Sequence, residues 1–164
     1  MPPSARMYCL VFLVAFVVGL SPAIGQPTVF IVRHAEKAET AGQDPELSQA
    51  GHARAEALAK VLKDANITTI YTTEFKRTQE TAAPLAKILG ITVVSVPAKD
   101  TATLTAKLHS THGNILVVGH GDTIPDLLKA LGMSAPINIA PNQYDDLFIV
   151  VLDGTPRFIH LHYG

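Results

Sequence analysis

From Thr28 onward, short β-branched runs alternate with longer alanine- and leucine-rich stretches in which apolar residues recur at helical spacing. That alternation predicts strands separated by crossover helices, hence an α/β three-layer sandwich with a mostly parallel central sheet. The first strand is Thr28 to Val32, nearly all apolar, as expected for a strand covered on both faces. A polar loop, Ala35 to Leu47, leads to Ser48 as a helix N-cap and to an amphipathic helix through Ala53, Ala57, Leu58, Val61 and Leu62, ending near Asp64 to Asn66.

Ile67 to Tyr71 reads as the second strand, followed by a helix through Phe75, Leu85 and Leu89 that stops at Gly90. Pro84 lies inside that helix and predicts a bend, because an interior proline removes a backbone hydrogen bond. Ile91 to Val96 reads as a third strand, Thr101 to about Leu108 as a short helix, and Ile115 to Val118 as a fourth strand. Pro125 suits the first turn of another helix. After Gly132 a proline-dotted loop precedes Leu147 to Leu152, the turn Asp153 to Pro156, and Phe158 to Tyr163, which together read as a closing hairpin. No internal repeat or second hydrophobic unit appears, so residues 26–164 form one domain.

The stretch before this domain has a different character. Arg6 precedes an unbroken apolar run from Met7 to Leu20, then Ser21, Pro22 and the small-residue pattern Ala23, Ile24, Gly25. The run is shorter than the roughly 20 residues of a spanning helix, and the layout is that of a secretory signal peptide over residues 1–25. The expectation is an exported protein, periplasmic or secreted, with no stable membrane association after cleavage. The single cysteine, Cys9, would leave with the signal, so the mature domain would have no disulfide, thiolate metal site or cysteine nucleophile.

Charge changes the picture little. The full chain carries 13 Lys plus Arg against 14 Asp plus Glu, and the mature part is about −2. With no tryptophan and few aromatic residues, neither a polyanion-binding surface nor a base-stacking platform is indicated, so nucleic acid is not the expected partner. Any affinity for anions must be local.

Ligands of open α/β sheets bind beyond the carboxyl ends of the strands. The first strand end presents Arg33 and His34, the turn and helix after the second present Thr73, Glu74 and Arg77, and the fourth presents His120, Gly121, Asp122 and Thr123. Two arginines and two histidines converge at one sheet edge. The blocks RHAEK (Arg33 to Lys37), LSQAGHARAEAL (Leu47 to Leu58), YTTEFKRTQETA (Tyr71 to Ala82) and GHGDT (Gly119 to Thr123), in that order, resemble the phosphoglycerate-mutase-like branch (branch 1) of the histidine phosphatase superfamily.

The resemblance implies that His34 attacks phosphorus, that Arg33 and Arg77 hold the phosphoryl oxygens, and that His120 completes the pocket, with Gly121 letting the backbone approach the phosphate. It implies a phosphatase working through a phosphohistidine, with no cofactor and no metal. A neutral imidazole is a nucleophile near neutral pH without a separate base. His120 beside a phosphate dianion would be drawn toward its protonated form.

The proton donor for the leaving group is open among Glu36, Glu74 and Asp122, with Asp100 a remoter candidate and Asp122 preferred for its place beside the pocket. In longer relatives this acid comes from a segment inserted after the block containing Arg77, which is short here. His52, His109 and His112 read as surface histidines. His160 and His162 alternate along one strand face, and the polar face of an edge strand is the favoured reading over a metal pair. Asp145 and Asp146 read as a loop-to-strand junction. The expected substrate is a phosphorylated small molecule or a phosphoprotein. Alternatives are a non-catalytic module binding phosphorylated sugars or lipid head groups and, within the fold, a phosphohistidine protein phosphatase or a mutase.

Overall fold

Strand β1, Thr28–Arg33, lies inside a six-stranded sheet and alternates its side chains between two cores. In the computed structural model, which describes residues 27–39 and 42–164, Val29 and Ile31 enter one hydrophobic cluster and Val32 the other. The proposed signal segment and Cys9 lie outside the described residues. No helix among the described residues is long and apolar enough to cross a membrane.

The elements follow in the order α1 (Gln49–Leu62), β2 (Ile67–Thr72), α2 (Lys76–Leu89), β3 (Val93–Ser95), α3 (Thr101–Ser110), β4 (Asn114–Gly119), α4 (Ile124–Ala130), β5 (Asp146–Val151) and β6 (Arg157–His162). The sheet order is β3-β2-β4-β1-β5-β6. The first four strands are parallel, β5 runs antiparallel to β1, and β6 returns antiparallel to β5 as the hairpin anticipated from the turn residues. Helices α1 and α2 pack together over one face, and α3 and α4 over the other. The result is the three-layer sandwich that the alternating pattern implies.

Local signals place most boundaries. Ser48 caps α1 by accepting from the Gly51 amide at 3.1 Å. Gly90 ends α2 with φ 65°, a left-handed conformation that glycine adopts without a Cβ penalty. One expectation needs correction. The third strand is only Val93–Ser95 rather than Ile91 to Val96, because it is the sheet edge and pairs with β2 alone. Helix α2 contains Pro84 without being divided by it. Burial of Leu85 and Ala86 in the core beside the proline compensates for the hydrogen bond it removes.

Gly51 marks a close crossing. A Cβ there would stand 2.1 Å from the Glu36 carbonyl oxygen, so α1 lies directly against the loop that leaves β1. That loop begins with His34, and the crossing helps fix its exit from the sheet.

Candidate active site

The carboxyl ends of β1 and β4 are neighbours, with Arg33 opposite Gly119 in the ladder. The His34 amide extends this pairing by donating to the Gly119 carbonyl at 2.9 Å. Two sequence blocks, through residues 34 and 119, therefore meet in one backbone hydrogen bond, and the rings of His34 and His120 lie 5.3 Å apart at 62°. The third block joins through Thr81, whose hydroxyl accepts from the Ala35 amide at 2.9 Å and donates to the Arg77 carbonyl at 2.7 Å. Thr81 is fully buried, and it ties the loop after His34 to the helical turn carrying Arg77.

Arg33, His34, Arg77, His120, Gly121 and Asp122 line an open pocket of about 470 Å³. His34 is 5% exposed. Its Nδ1 lies 2.7 Å from the Ala35 carbonyl oxygen, which can only accept, so the proton sits on Nδ1 and the Nε2 lone pair is free. Burial, together with the positive charges of Arg77 and Arg33 and the neighbouring His120, lowers its pKa to about 4, against a smaller opposing effect of the Ala35 carbonyl. His34 is thus a neutral imidazole with an unshared pair on Nε2 at any ordinary pH.

Arg33 reaches across to the loop between α4 and β5. Its Nη1 donates to the carbonyls of Ala140 and Gln143, both at 2.9 Å, and its guanidinium lies 4.3 Å from the centre of the Tyr144 ring. Its Nε is buried and has no hydrogen-bond partner among the described residues. A charged donor withdrawn from water without an acceptor is costly, and this nitrogen is left as an unmet donor beside Gly121. Gly121 permits the approach: a Cβ there would lie 3.4 Å from Arg33 Nε and 3.5 Å from Cζ. Arg77 makes the matching arrangement on the other side, its guanidinium 4.4 Å from the Phe75 ring centre. Its nearest carboxylate is Asp44, at 3.7 Å, which also accepts from the Lys76 amide at the start of α2.

His120 is held by a hydroxyl chain. Thr78 donates to the Phe75 carbonyl at 2.8 Å, Thr73 stands 3.0 Å from the Thr78 hydroxyl, and His120 Nε2 stands 2.9 Å from Thr73 Oγ1. With the Thr78 proton committed to a carbonyl, Thr73 donates to Thr78 and His120 Nε2 donates to Thr73. Burial and the Arg77 charge lower the His120 pKa to about 4, against the opposing charges of Asp122 and Glu74. A phosphate dianion in the pocket adds a stronger charge of the same sign as those carboxylates and moves His120 toward protonation.

The carboxylates separate clearly. Glu36 is engaged by Arg54, with Nε at 2.9 and 3.0 Å and Nη2 at 2.7 Å from its oxygens. Its burial, the largest single effect, would raise the carboxyl, but the Arg54 hydrogen bonds, a backbone hydrogen bond and the charges of Arg54 and Arg33 together outweigh it and hold the group below the usual range, the wrong direction for a proton donor. Glu74 turns away to accept from the Ala98 amide at 2.8 Å. Asp100 caps α3 by accepting from the Thr103 amide at 3.0 Å. Of the four acids considered from the sequence, the structure brings only Asp122 to the pocket wall.

Sequence reasoning missed Thr73 as the hydroxyl holding His120, Thr78 and Thr81 behind the pocket, and the whole Ala140 to Tyr144 wall. The signal for the last was the lone aromatic residue, Tyr144, in an otherwise small and proline-dotted loop. His52, His109 and His112 are exposed, as read from the sequence.

Residues 29–100 match the sequence profile of the Histidine phosphatase superfamily (branch 1). This stretch belongs to the histidine phosphatase superfamily. The superfamily segment contains Arg33, His34 and Arg77, while His120 and Asp122 lie beyond it and join through the β1–β4 pairing. Among solved structures, the protein histidine phosphatase SixA complexed with tungstate is similar at TM-score 0.69 and 22% identity, over 82% of this chain and 96% of that one. A mycobacterial glucosyl-3-phosphoglycerate phosphatase complexed with inorganic phosphate is similar at TM-score 0.63 and 18% identity, over 82% and 95% of the two chains. The alpha-ribazole phosphatase from Shigella flexneri is similar at TM-score 0.67 and 14% identity, over 82% and 96%. These likenesses establish the histidine phosphatase fold for this chain. Among curated proteins no sequence matches it.

The low histidine pKa values set a pH expectation. A nucleophilic His34 would be active only when neutral, so the acid-side fall of kcat/KM that its protonation causes is expected only near pH 4. An unperturbed histidine would bring that fall to about 6.5. A pH profile of aryl phosphate hydrolysis distinguishes the two. Stability has the same sign: both histidines bind protons more weakly folded than unfolded, so their contribution is full above about pH 6.5 and is lost as pH falls through about 4.

Proposed function

We propose that this protein is a phosphatase that hydrolyses phosphomonoesters through a phosphohistidine on His34. The observation that carries the reading is the pairing of an unprotonated His34 Nε2 with Arg33, whose Nε is buried and unpartnered while Nη1 is fixed by two carbonyls. His34 Nε2 forms a bond to phosphorus as the ester P–O bond breaks, with Arg33, Arg77 and protonated His120 around the equatorial oxygens. Water then attacks phosphorus, the N–P bond breaks, and inorganic phosphate and neutral His34 are released.

The test is a rapid acid-free quench of the mature protein with a labelled aryl phosphate in excess chelator. The expected product is one equivalent of protein-bound phosphate, stable to alkali and lost in acid, as a phosphoramidate is. Tight phosphate binding with neither turnover nor labelling would favour a non-catalytic phosphate-binding module instead.

Asp122 is the proposed donor to the leaving oxygen, since Glu36, Glu74 and Asp100 are engaged elsewhere. Asp122→Asn is expected to slow hydrolysis of alkyl phosphates by about 10²-fold or more, and of nitrophenyl phosphate, whose leaving group needs no proton, by far less. Equal losses on both substrates would remove Asp122 from this role. The proposed setting is outside the cytoplasm, a reading supported by the Met7 to Leu20 run and the small residues at Ala23 to Gly25. The N-terminal residue of protein recovered from expressing cells tests it, with Gln26 expected.

A further inference from the structure

At the opposite side of β1 from the phosphate-pocket strand β4, the β5–β6 hairpin gathers a second set of chemically capable side chains. In its ladder Asp146 is opposite His162 and Phe148 opposite His160, which places all four on one face. His160 stacks on Phe148 at 4.4 Å and 22°, an arrangement that fixes its ring plane. His160 Nε2 then lies 2.7 Å from Asp146 Oδ1, and His162 Nδ1 lies 3.5 Å from the same oxygen and 3.3 Å from Asp145 Oδ2. One ligand atom from each of Asp146, His160 and His162 falls within a 4.8 Å span.

The alternation of two histidines on an edge strand needs no explanation beyond solvent exposure. A carboxylate buried beneath them does. Asp146 is 1% exposed, and its Oδ2 has no hydrogen-bond partner among the described residues. A buried carboxylate is tolerated when paired or when it coordinates a metal. Its Oδ1 accepts from Gln143 Nε2 at 2.8 Å, the kind of outer hydrogen bond that orients a ligating carboxylate. In a tetrahedral site with ligand bonds near 2.0 to 2.1 Å, neighbouring ligand atoms stand about 3.3 Å apart. The two contacts of His162 Nδ1 are close to this, while the three ligand atoms spread over 4.8 Å, so His162, the more exposed ring, must move toward His160 to close the set around one ion.

We propose that Asp146, His160 and His162 form a binding site for a divalent transition-metal ion of the zinc class, with Asp145 or water as the fourth ligand. The donor set of two imidazole nitrogens and a carboxylate oxygen selects such ions over magnesium and calcium, which favour all-oxygen sites. The site is separate from the phosphate chemistry but linked to it. Gln143, which orients Asp146 through its side chain, accepts from Arg33 through its carbonyl.

The test compares the mature wild type with the His160→Gln/His162→Gln double variant. Zn²⁺ is titrated against a competing fluorescent chelator, and long-range ¹H–¹⁵N spectra of the histidine rings are recorded for the wild type. The expected result is one zinc equivalent, weakened at least about 100-fold in the double variant, with shifts at His160 and His162. Aryl phosphate turnover of the two metal-free proteins should be equal, which also verifies folding of the variant. His162→Gln alone, at a side chain 58% exposed, keeps the comparison available should the double variant fail to fold. Indistinguishable titrations of wild type and variant, or zinc-dependent shifts confined to other histidines, would overturn the proposal.

Discussion

Replacing His34 with alanine is expected to lower aryl phosphate turnover by about 10⁴-fold or more and to abolish the phosphoenzyme. The size of the loss follows from the mechanism. Arg33, Arg77 and His120 can still bind and orient a phosphate, but without Nε2 the reaction reverts to direct attack by unactivated water. His120, whose Nε2 donates to Thr73, is expected to serve as a cation rather than as a second nucleophile, and the residual rate of the variant measures any substitution by it. Phosphate affinity should change little, which separates a chemical role from a binding one, and steady-state kinetics with phosphate inhibition read both.

The same variant has a stability signature. At neutral pH the wild-type ring is neutral and makes one hydrogen bond to Ala35, so its removal leaves a small cavity and an unpaired carbonyl, at a cost of about 1–3 kcal/mol. Between about pH 6.5 and 4 the wild type loses stability as its unfolded state takes up protons that the buried ring refuses. His34→Ala lacks that share, so the gap between the two proteins narrows on acidification. Thermal unfolding followed by circular dichroism at pH 7 and pH 5 measures it.

Arg33→Lys is expected to cost about 10²–10³-fold in kcat/KM despite conserving the charge. In the proposed mechanism Arg33 has two tasks for different nitrogens. Nη1 anchors the Ala140 to Gln143 loop, and Nε, buried beside Gly121 without a partner among the described residues, would meet an anionic oxygen after a small shift of the side chain. One ammonium cannot satisfy two carbonyls and a phosphoryl oxygen placed on different edges of a guanidinium plane, and it forgoes the guanidinium's contact over the Tyr144 ring. Inhibition by phosphate or tungstate should weaken together with kcat/KM. A lysine variant within about fivefold of wild type would show that Arg33 acts only as a general positive charge.

Much of the fold was legible because strands and helices here keep their periods. TVFIV could only be a strand covered on both sides, and Ser48 and Gly90 announced the start of α1 and the end of α2 through their own backbone chemistry. Where the reading slipped, a tertiary fact intervened: β3 is short because it is an edge. The pocket was legible in part for the same reason. Arg33, His34 and His120 sit at strand ends, and strand ends are where a parallel sheet exposes its ligand edge.

By itself, the sequence determined the element order, the layer architecture, and the set of two arginines and two histidines at one sheet edge, because periodicity and strand ends are local properties. Only the tertiary structure decided what those residues are bonded to. The burial of His34, the Arg33 contacts with a loop up to 110 residues away, the engagement of Glu36 by Arg54, and the burial of Asp146 beneath two histidines all depend on packing between segments. Desolvation and hydrogen-bond partnership govern protonation state and reactivity, and neither exists until distant segments pack together.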